Sequence, residues 1–284
     1  MHFLINIYGS LIFLLCSFFI KLIYRQPHAS SFSSVKHSKM MKLSKISERV
    51  FEAVVSIVHT KTRQTHTAVI VFNDRKMMIR PFIFVDILMV SGRWEIYVKA
   101  VLDKEIKKGD VIVDIGAGIG IYVISFSDRA KKIIAFEPHP ESSALLETNV
   151  RLNNLHNVVL IKRAVGGLNN SNVSFNLATD PAFSGISGSS HHGRIGRNIT
   201  LETISLNQAL SDESQIDWII IDVEGFESEI LNGGREILRR HSPKIIYECF
   251  EYNVEKDTKI LNDEGYSVVK LGFDYFYAVK NMKS

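Results

Sequence analysis

The hydrophobic pattern along this chain changes period three times. From His2 to Ile20 there is no charged residue and most positions are Leu, Ile or Phe, and Leu22, Ile23 and Tyr24 extend the run past Lys21. About twenty such residues make a helix able to cross a hydrocarbon core of ~30 Å. A basic, serine-rich stretch follows from Gln26 to Lys45, too poor in large apolar side chains to fold alone. Helical spacing begins next, with Ile46, Val50, Phe51, Val54 and Val58 on one face. Thr67–Phe72 and Met77–Ile79 read as strands around an Asn73-Asp74-Arg75 turn, and Val85–Ile106 as a helix in two pieces broken near Gly92.

From Asp110 onward short apolar runs alternate with amphipathic ones. Strands are expected at Val111–Ile115, Ile133–Phe136, Val158–Ile161, Ile216–Ile221, Lys244–Tyr247, Ser267–Lys270 and Tyr275–Val279. Helices are expected from about Gly120, over Glu141–Leu152, Glu227–Leu238 and Lys256–Glu264. Fully apolar strands alternating with helices imply an α/β fold: a mostly parallel twisted sheet with helices on both faces. Ligands of such sheets bind at the carboxyl ends of the strands, near the point where the strand order reverses.

Charge adds a division. Six of the 34 Lys and Arg residues precede Glu48, and none of the 30 acidic residues does. The rest of the chain is slightly acidic, which argues against nucleic acid as a partner. All six early charges follow the apolar run, so the positive-inside rule keeps the C-terminal side in the cytoplasm. A secretory signal expects a basic residue before the run and small residues at its end, whereas Phe18, Phe19 and Ile20 stand there. Bulky Leu15 likewise argues against a lipoprotein site at Cys16. The reading is a single-pass, uncleaved anchor; the rival is a translation start at Met40 or Met41. Cys16 and Cys249 are the only cysteines, so no disulfide framework or four-cysteine zinc site exists.

The most informative stretch is Val113-Asp114-Ile115-Gly116-Ala117-Gly118-Ile119-Gly120. Glycines at a strand-to-helix turn let a ligand approach the backbone closely. The third glycine comes one residue too early for a dinucleotide fingerprint, and no Lys-Ser or Lys-Thr pair marks a phosphate loop. An acid followed by this turn suits S-adenosylmethionine, whose methionine end carries an ammonium that Asp114 can complement. Glu137, in Phe136-Glu137-Pro138, ends the next strand, where a carboxylate can accept both ribose hydroxyls. Pro138 fixes it there. The cofactor-binding set is therefore Asp114, Gly116, Ala117, Gly118, Gly120, Glu137 and Pro138.

Asp222, Glu224 and Glu227 lie just past the apolar strand ending at Ile221, and Glu248 stands at the same level after Ile245-Ile246-Tyr247. Asp222 and Glu224 are expected in the loop over the site, with Glu227 capping a helix. Carboxylates converging at strand ends serve as general base, hydroxyl orienter or metal ligands, and all three roles stay open. His139 reads as a loop residue. The glycine-rich segment Ser184–Arg194 reads as a lid, a substrate-binding surface or plain disorder. The adjacent His191 and His192 are poorly placed to share a metal, so no metal ligand is assigned.

These motifs resemble the FkbM-type methyltransferases. Val113–Gly118, Ala135–Pro138, Thr203-Ile204-Ser205-Leu206, Ile221–Glu227 and Ile246-Tyr247-Glu248 occur in that family's order, across about Ile79 to Val279. The resemblance implies a Rossmann-like class I methyltransferase fold and O-methylation of sugar or polyketide hydroxyls. Two positions depart from it: Ile220 stands where the family often has lysine, and Asn207 where it often has aspartate. The expected organisation is an N-terminal transmembrane anchor over 1–24, a tether over 25–45, a helical and hairpin extension over 46–108, and a methyltransferase domain over 109–284. The expected function is a membrane-tethered O-methyltransferase with Asp222, Glu224 and Glu248 as catalytic candidates. A small-molecule or lipid-linked saccharide is the expected acceptor. A metal-dependent O-methyltransferase, a non-catalytic cofactor-binding protein and a nicotinamide enzyme are the rivals.

Overall fold

The computed structural model describes residues 67–81, 83–91, 95–178, 181–187 and 196–281. The expected anchor, the tether, the helix over 46–60, the break at Gly92, and His191 and His192 lie outside them. Among the described residues no helix is long and apolar enough to cross a membrane.

The chain opens with an antiparallel hairpin, β1 (Ala68–Phe72) and β2 (Arg75–Ile79), whose turn residues Asn73 and Asp74 have φ of 49° and 60°. Asn and Asp tolerate this left-handed region better than most side chains. Two helices follow, α1 (Phe84–Val90) and α2 (Ile96–Glu105). The main body then runs β3 (Val111–Ile115), α3 (Ile121–Phe126), β4 (Lys132–Phe136), α4 (Pro140–Leu152) and β5 (Val158–Ile161). After an inserted sheet it resumes as β10 (Trp218–Ile221), α6 (Glu227–Gly233), α7 (Arg235–His241), β11 (Lys244–Glu248), α8 (Val254–Asp263), β12 (Tyr266–Gly272) and β13 (Tyr275–Lys280). The inserted part comprises β6 (Ala164–Gly166), β7 (Asn172–Ala178), β8 (Gly185–Ile186), β9 (Gly196–Ser205) and the single turn α5 (Leu206–Ala209).

Seven strands form the central sheet in the order β12-β13-β11-β10-β3-β4-β5. All neighbours from β11 to β5 are parallel, and β13 is antiparallel to both β11 and β12. Only β13 therefore runs against the rest. Successive strand residues point to opposite faces, and the core divides accordingly. Val113, Ile115, Ile219, Ile221, Ile245 and Tyr247 pack with Ile230, Leu231, Ile237, Leu238, Ile260 and Leu261 on one face. Ile112, Ile133, Ala135, Trp218, Ile220 and Ile246 pack with Val98, Leu102, Val123, Phe126 and Leu146 on the other. Both faces are covered, which is why these strands are apolar throughout.

Three expectations need correction. The helix over Glu227–Leu238 is two helices, because the chain turns at Gly234, where a Cβ would come 2.9 Å from Leu206 Cδ1. The segment between β5 and β10 holds a four-stranded sheet, β6-β9-β7-β8, that periodicity did not reveal. Its strands are short or solvent-facing, with alternating burial along β9 rather than continuous apolar runs. Within the glycine-rich segment, Gly185 and Ile186 pair with β7, so its start is sheet rather than loop.

The hairpin is held to the body by side chains that imitate a strand. On α4, Asn149 and Asn153 are four residues apart, about 6 Å along a helix. On β2, Lys76 and Met78 are two residues apart, about 6.6 Å along a strand. The spacings nearly match, so each amide reads one backbone unit. Asn149 Oδ1 accepts from Met78 N at 2.6 Å and its Nδ2 donates to Met78 O at 3.1 Å and Ile119 O at 2.8 Å. Asn153 Oδ1 accepts from Lys76 N at 3.0 Å and Nδ2 donates to Lys76 O at 2.7 Å. Phe72, Met77, Ile79, Ile119 and Leu145 fill the space between. Asn149 is wholly buried, so Asn149→Ala strands backbone groups of β2. It is expected to destabilise the fold by about 2–4 kcal/mol, against ~1 kcal/mol for the more exposed Asn153→Ala, by denaturant titration.

Candidate active site

Four carboxyl groups stand at the carboxyl edge of the sheet, on the face that carries Ile112 and Ile220. Parallel register pairs Asp114 of β3 with Ile220 of β10 and with Ala135 of β4. Two residues on, β10 leads to Asp222 and β4 to Glu137. Ile220 pairs with Ile246, and β11 ends at Glu248, opposite Tyr275 of β13. Period two thus sets Asp114, Glu137, Asp222 and Glu248 on one face, with Glu137, Asp222 and Glu248 in a row one level above Asp114.

The turn after β3 explains its glycines. Gly116, Gly118 and Gly120 have φ of 85°, 55° and 95°. At Gly116 a Cβ would stand 1.8 Å from the backbone oxygen of Asp222, and at Gly120 2.4 Å from Leu146 Cδ1. At Gly118 a Cβ would meet nothing within 4 Å: this glycine faces open space. Its N–H donates to Glu137 Oε2 at 2.7 Å, and Glu137 Oε1 accepts from His139 N at 2.7 Å. His139 caps α4, its Nδ1 accepting from Glu141 N at 3.2 Å and Ser142 N at 3.3 Å. Its role is structural, in line with the sequence reading.

After β10 the loop is forced into an unusual path. Glu224 has φ of 63° and Gly225 of 102°. For a non-glycine residue this conformation costs ~1–2 kcal/mol, and strain of this kind gathers at functional sites. Glu227 offsets it. Its side chain is fully buried, and its Oε1 accepts from Val223 N at 3.3 Å and Gly225 N at 3.1 Å. Its part is therefore to hold the acidic loop, which is more than capping a helix.

A second tier closes the acidic row from below. Tyr275 OH lies 2.7 Å from Glu95 Oε1 and 2.9 Å from Asp222 Oδ2, and Tyr122 OH donates to Glu95. A phenol has one hydrogen. It cannot serve two ionised carboxylates at once, so the group of acids carries protons. Glu248 is hydrogen-bonded to Asp222 and held well above the usual carboxylate range, by burial first and then by the charges of Asp222 and Glu224. Burial also raises Asp222, opposed by the hydrogen bonds it accepts. Burial and like charge thus favour the protonated form of Glu248. Asp114, 2% exposed, is pushed up to about 8 by burial and then by Asp222, Glu137 and Glu95. Its Oδ2 has no hydrogen-bond partner among the described residues. Burial lifts Glu137 to about 7, against the pull of its two backbone N–H donors.

These groups border one cleft. Its lining includes Gly116, Gly118, Glu137, Pro138, Asp222 and Glu224 from the sheet edge, and Arg163, Phe175 and Ile186 from the inserted part. Asp114 and Glu248 are not on its surface; they lie behind Asp222. Ala117 and Gly120 shape the turn without lining the cleft. Arg80 and Asp86 complete the wall from the N-terminal extension. Arg80 makes a fork onto buried Asp86, Nε to Oδ2 at 2.9 Å and Nη2 to Oδ1 at 2.8 Å. Sequence reading missed Arg80, Asp86, Glu95, Tyr122, Arg163 and Tyr275. Asp86 alone left a signal, as the single charge within the apolar run Phe82–Val90.

The glycine turn, the carboxylate one strand over and the acidic loop after β10 match a known family over residues 114–268, that of the Methyltransferase FkbM domain. The chain belongs to this family. It has a methyltransferase-like α/β fold, and it spans well under two thirds of the curated relative and of the first solved structure that it matches. It is 38% identical over 63 residues to the ribosomal protein L11 methyltransferase of Anoxybacillus flavithermus, a match spanning 22% of this chain and 20% of that protein. Among solved structures it is similar to methyltransferase FkbM from Methylobacillus flagellatus KT, with 16% identity and a TM-score of 0.43, over 60% of this chain and 43% of that one. It is also similar to precorrin-6y C5,15-methyltransferase from Geobacter metallireducens GS-15, with 16% identity and a TM-score of 0.41, over 65% and 87%. Both departures from the family pattern serve the fold. Ile220 is buried beside Asp114, and Asn207 Oδ1 accepts from Ile237 N at 3.3 Å.

The raised acids make the ligand-free protein sensitive to base. A carboxyl whose folded pKa lies above its unfolded one binds more protons when folded, so stability falls as pH rises between the two values. For Asp114 the window runs from 3.8 to about 8 and for Glu137 from 4.5 to about 7. Without ligand, the melting temperature is expected to fall steadily from pH 5 to pH 8. Asp114→Asn should raise it most at pH 8, by roughly 2–4 °C for each kcal/mol relieved, and by less at pH 5, near the foot of the window. Calorimetry across this range checks both.

Proposed function

We propose that this chain transfers a methyl group from S-adenosylmethionine to a hydroxyl of a sugar or related small molecule. The observation that carries the reading is that one cleft is lined both by Gly118 and Glu137 and by Asp222 and Glu224. Cofactor and acceptor positions therefore share one space.

The residues fit the cofactor. Open space over Gly118 leaves room where a side chain would stand. Each oxygen of Glu137 already accepts one backbone N–H and keeps a lone pair for a ribose hydroxyl. Asp114 stands off the cleft surface, so the acids that face a bound cofactor are Glu137, Asp222 and Glu224. S-adenosylmethionine supplies a sulfonium-bound methyl that is already electrophilic.

A hydroxyl is a weak nucleophile and needs a base as the new bond forms. Asp222, which lines the cleft where Glu248 does not, is the group best placed to take that proton. Glu224, held in its strained conformation by Glu227, orients the hydroxyl. Tyr275 fixes Asp222 from behind. The walls from Arg163, Phe175 and Ile186 contribute positioning, the larger part of what an activated methyl donor requires. Residues 1–45 support a location at the cytoplasmic membrane face, through the apolar run and the basic charges behind it, and a lipid-linked saccharide as one acceptor class.

Two variant sets test this reading. Gly118→Ala and Glu137→Gln should weaken cofactor binding in calorimetry, Glu137→Gln by the ~1.5–3 kcal/mol of a charge-assisted hydrogen bond. Asp222→Asn should bind the cofactor normally and lose ~10²–10⁴-fold in transfer, as expected for a missing general base. Labelled S-adenosylmethionine incubated with the full chain and a cell extract identifies the acceptor. Label entering protein alone, with none in glycan or lipid, would count against a saccharide.

A further inference from the structure

We infer that Asp222, Glu224 and Glu248 form a binding site for one hard divalent cation at the floor of the cleft. One carboxylate oxygen from each lies within 4.8 Å of the other two. In an octahedral shell at ~2.0–2.1 Å neighbouring oxygens are about 3 Å apart and opposite ones about 4 Å; at the ~2.3–2.6 Å of calcium the opposite pair reaches about 4.8 Å. The three oxygens thus already fall within the span of one coordination sphere. An all-carboxylate set selects magnesium, manganese or calcium over the softer metals.

Two further observations point to a missing positive charge. Glu248 Oε2 is buried within the cluster and has no hydrogen-bond partner among the described residues. Asp114, 2% exposed and outside the trio, also leaves Oδ2 unpartnered, and Asp222 is its foremost charged neighbour. A cation at this point would give the buried Glu248 oxygen the partner it lacks. Among the described residues β10, β11 and β13 place no basic side chain beneath the row, and Arg80 acts on Glu137 from the N-terminal extension. Ile220, Ile246 and Tyr277 hold the positions beneath it on β10, β11 and β13. Opposite Glu248 is Tyr275, a hydrogen-bond donor without charge. The strained backbone of Glu224 brings the third carboxylate back toward the other two, and Glu227 keeps that loop closed.

The cation's task follows from its place. Asp222 and Glu224 line the cleft while Glu248 lies behind them, so the open side of the ion faces the acceptor. There it would bind the acceptor oxygen and lower its pKa, with Asp222 receiving the proton or passing it to water. This task rests on the proposed O-methyl transfer; the site itself does not.

The test is manganese binding to the full chain, read by loss of the free-ion electron paramagnetic resonance signal after chelator treatment. One equivalent should bind, and magnesium or calcium should compete for it. Asp222→Asn and Glu248→Gln should each weaken binding at least ~10–100-fold, while their circular dichroism and their affinity for S-adenosylhomocysteine stay at wild-type levels. Glu224→Gln, on the loop, serves as the reading should either sheet-edge variant misfold. No saturable binding by the wild type, or binding unaffected by Glu224→Gln and Glu248→Gln, would overturn the inference. S-adenosylhomocysteine affinity measured in chelator separates the two ideas: its loss there counts against the cofactor cleft, and manganese binding alone decides the ion site.

Discussion

The backbone of Gly116 passes so close to the carbonyl of Asp222 that no side chain fits between them. The rest of the site depends on this contact. β3 and β10 are neighbours in the sheet, and their connections leave in opposite directions, toward β4 on one side and β11 on the other. A cleft opens where they part. Only glycine lets the two loops begin this tightly, with Asp222 N donating to Ile115 O at 2.9 Å and Gly116 N to Phe136 O at 2.9 Å. Those two bonds fix the height at which Asp114, Glu137 and Asp222 stand relative to one another.

Once the strands are in register, alternation leaves no choice about where the acids go. The same period that sends Ile112, Ile133, Trp218 and Ile220 into the core carries Asp114, Glu137 and Asp222 to the edge of that face. The result is a cost in ligand-free stability, since raised pKa values mean that charge is unwelcome there. Structures keep such unfavourable clusters where function needs them. The compensation is structural and visible: Tyr275 and Tyr122 donate from below, Glu227 braces the loop, and two apolar layers cover the sheet.

Much of this was legible before the fold was known. Apolar runs such as Val111–Ile115 and Trp218–Ile221 declare buried parallel strands, and an acid just past such a run must lie at its carboxyl end. Glu137, Asp222 and Glu248 stand just past such runs, whereas Asp114, inside its run, was found through the glycine turn that follows it. Tyr275 and Glu95 were not, because only the strand order brings β13 beside β11, and periodicity carries no information about order or direction. The inserted sheet was hidden for a different reason. Asn172–Ala178 and Gly196–Ser205 face solvent on one side and carry polar residues that also suit loops. Arg80 reaches the cleft through Asn149 and Asn153, whose match to β2 is a coincidence of helix and strand rise that no local pattern announces.

Hydrogen exchange measured by mass spectrometry, on the full chain with and without S-adenosylhomocysteine, tests the central claim most directly. Slowed exchange is predicted over 114–120, 137–143 and 222–227, the three segments at the carboxyl edge. The opposite edge, at 107–110, 128–132 and 241–244, should be unaffected. Absence of protection at the first three segments, or protection confined to the opposite edge, would contradict the account.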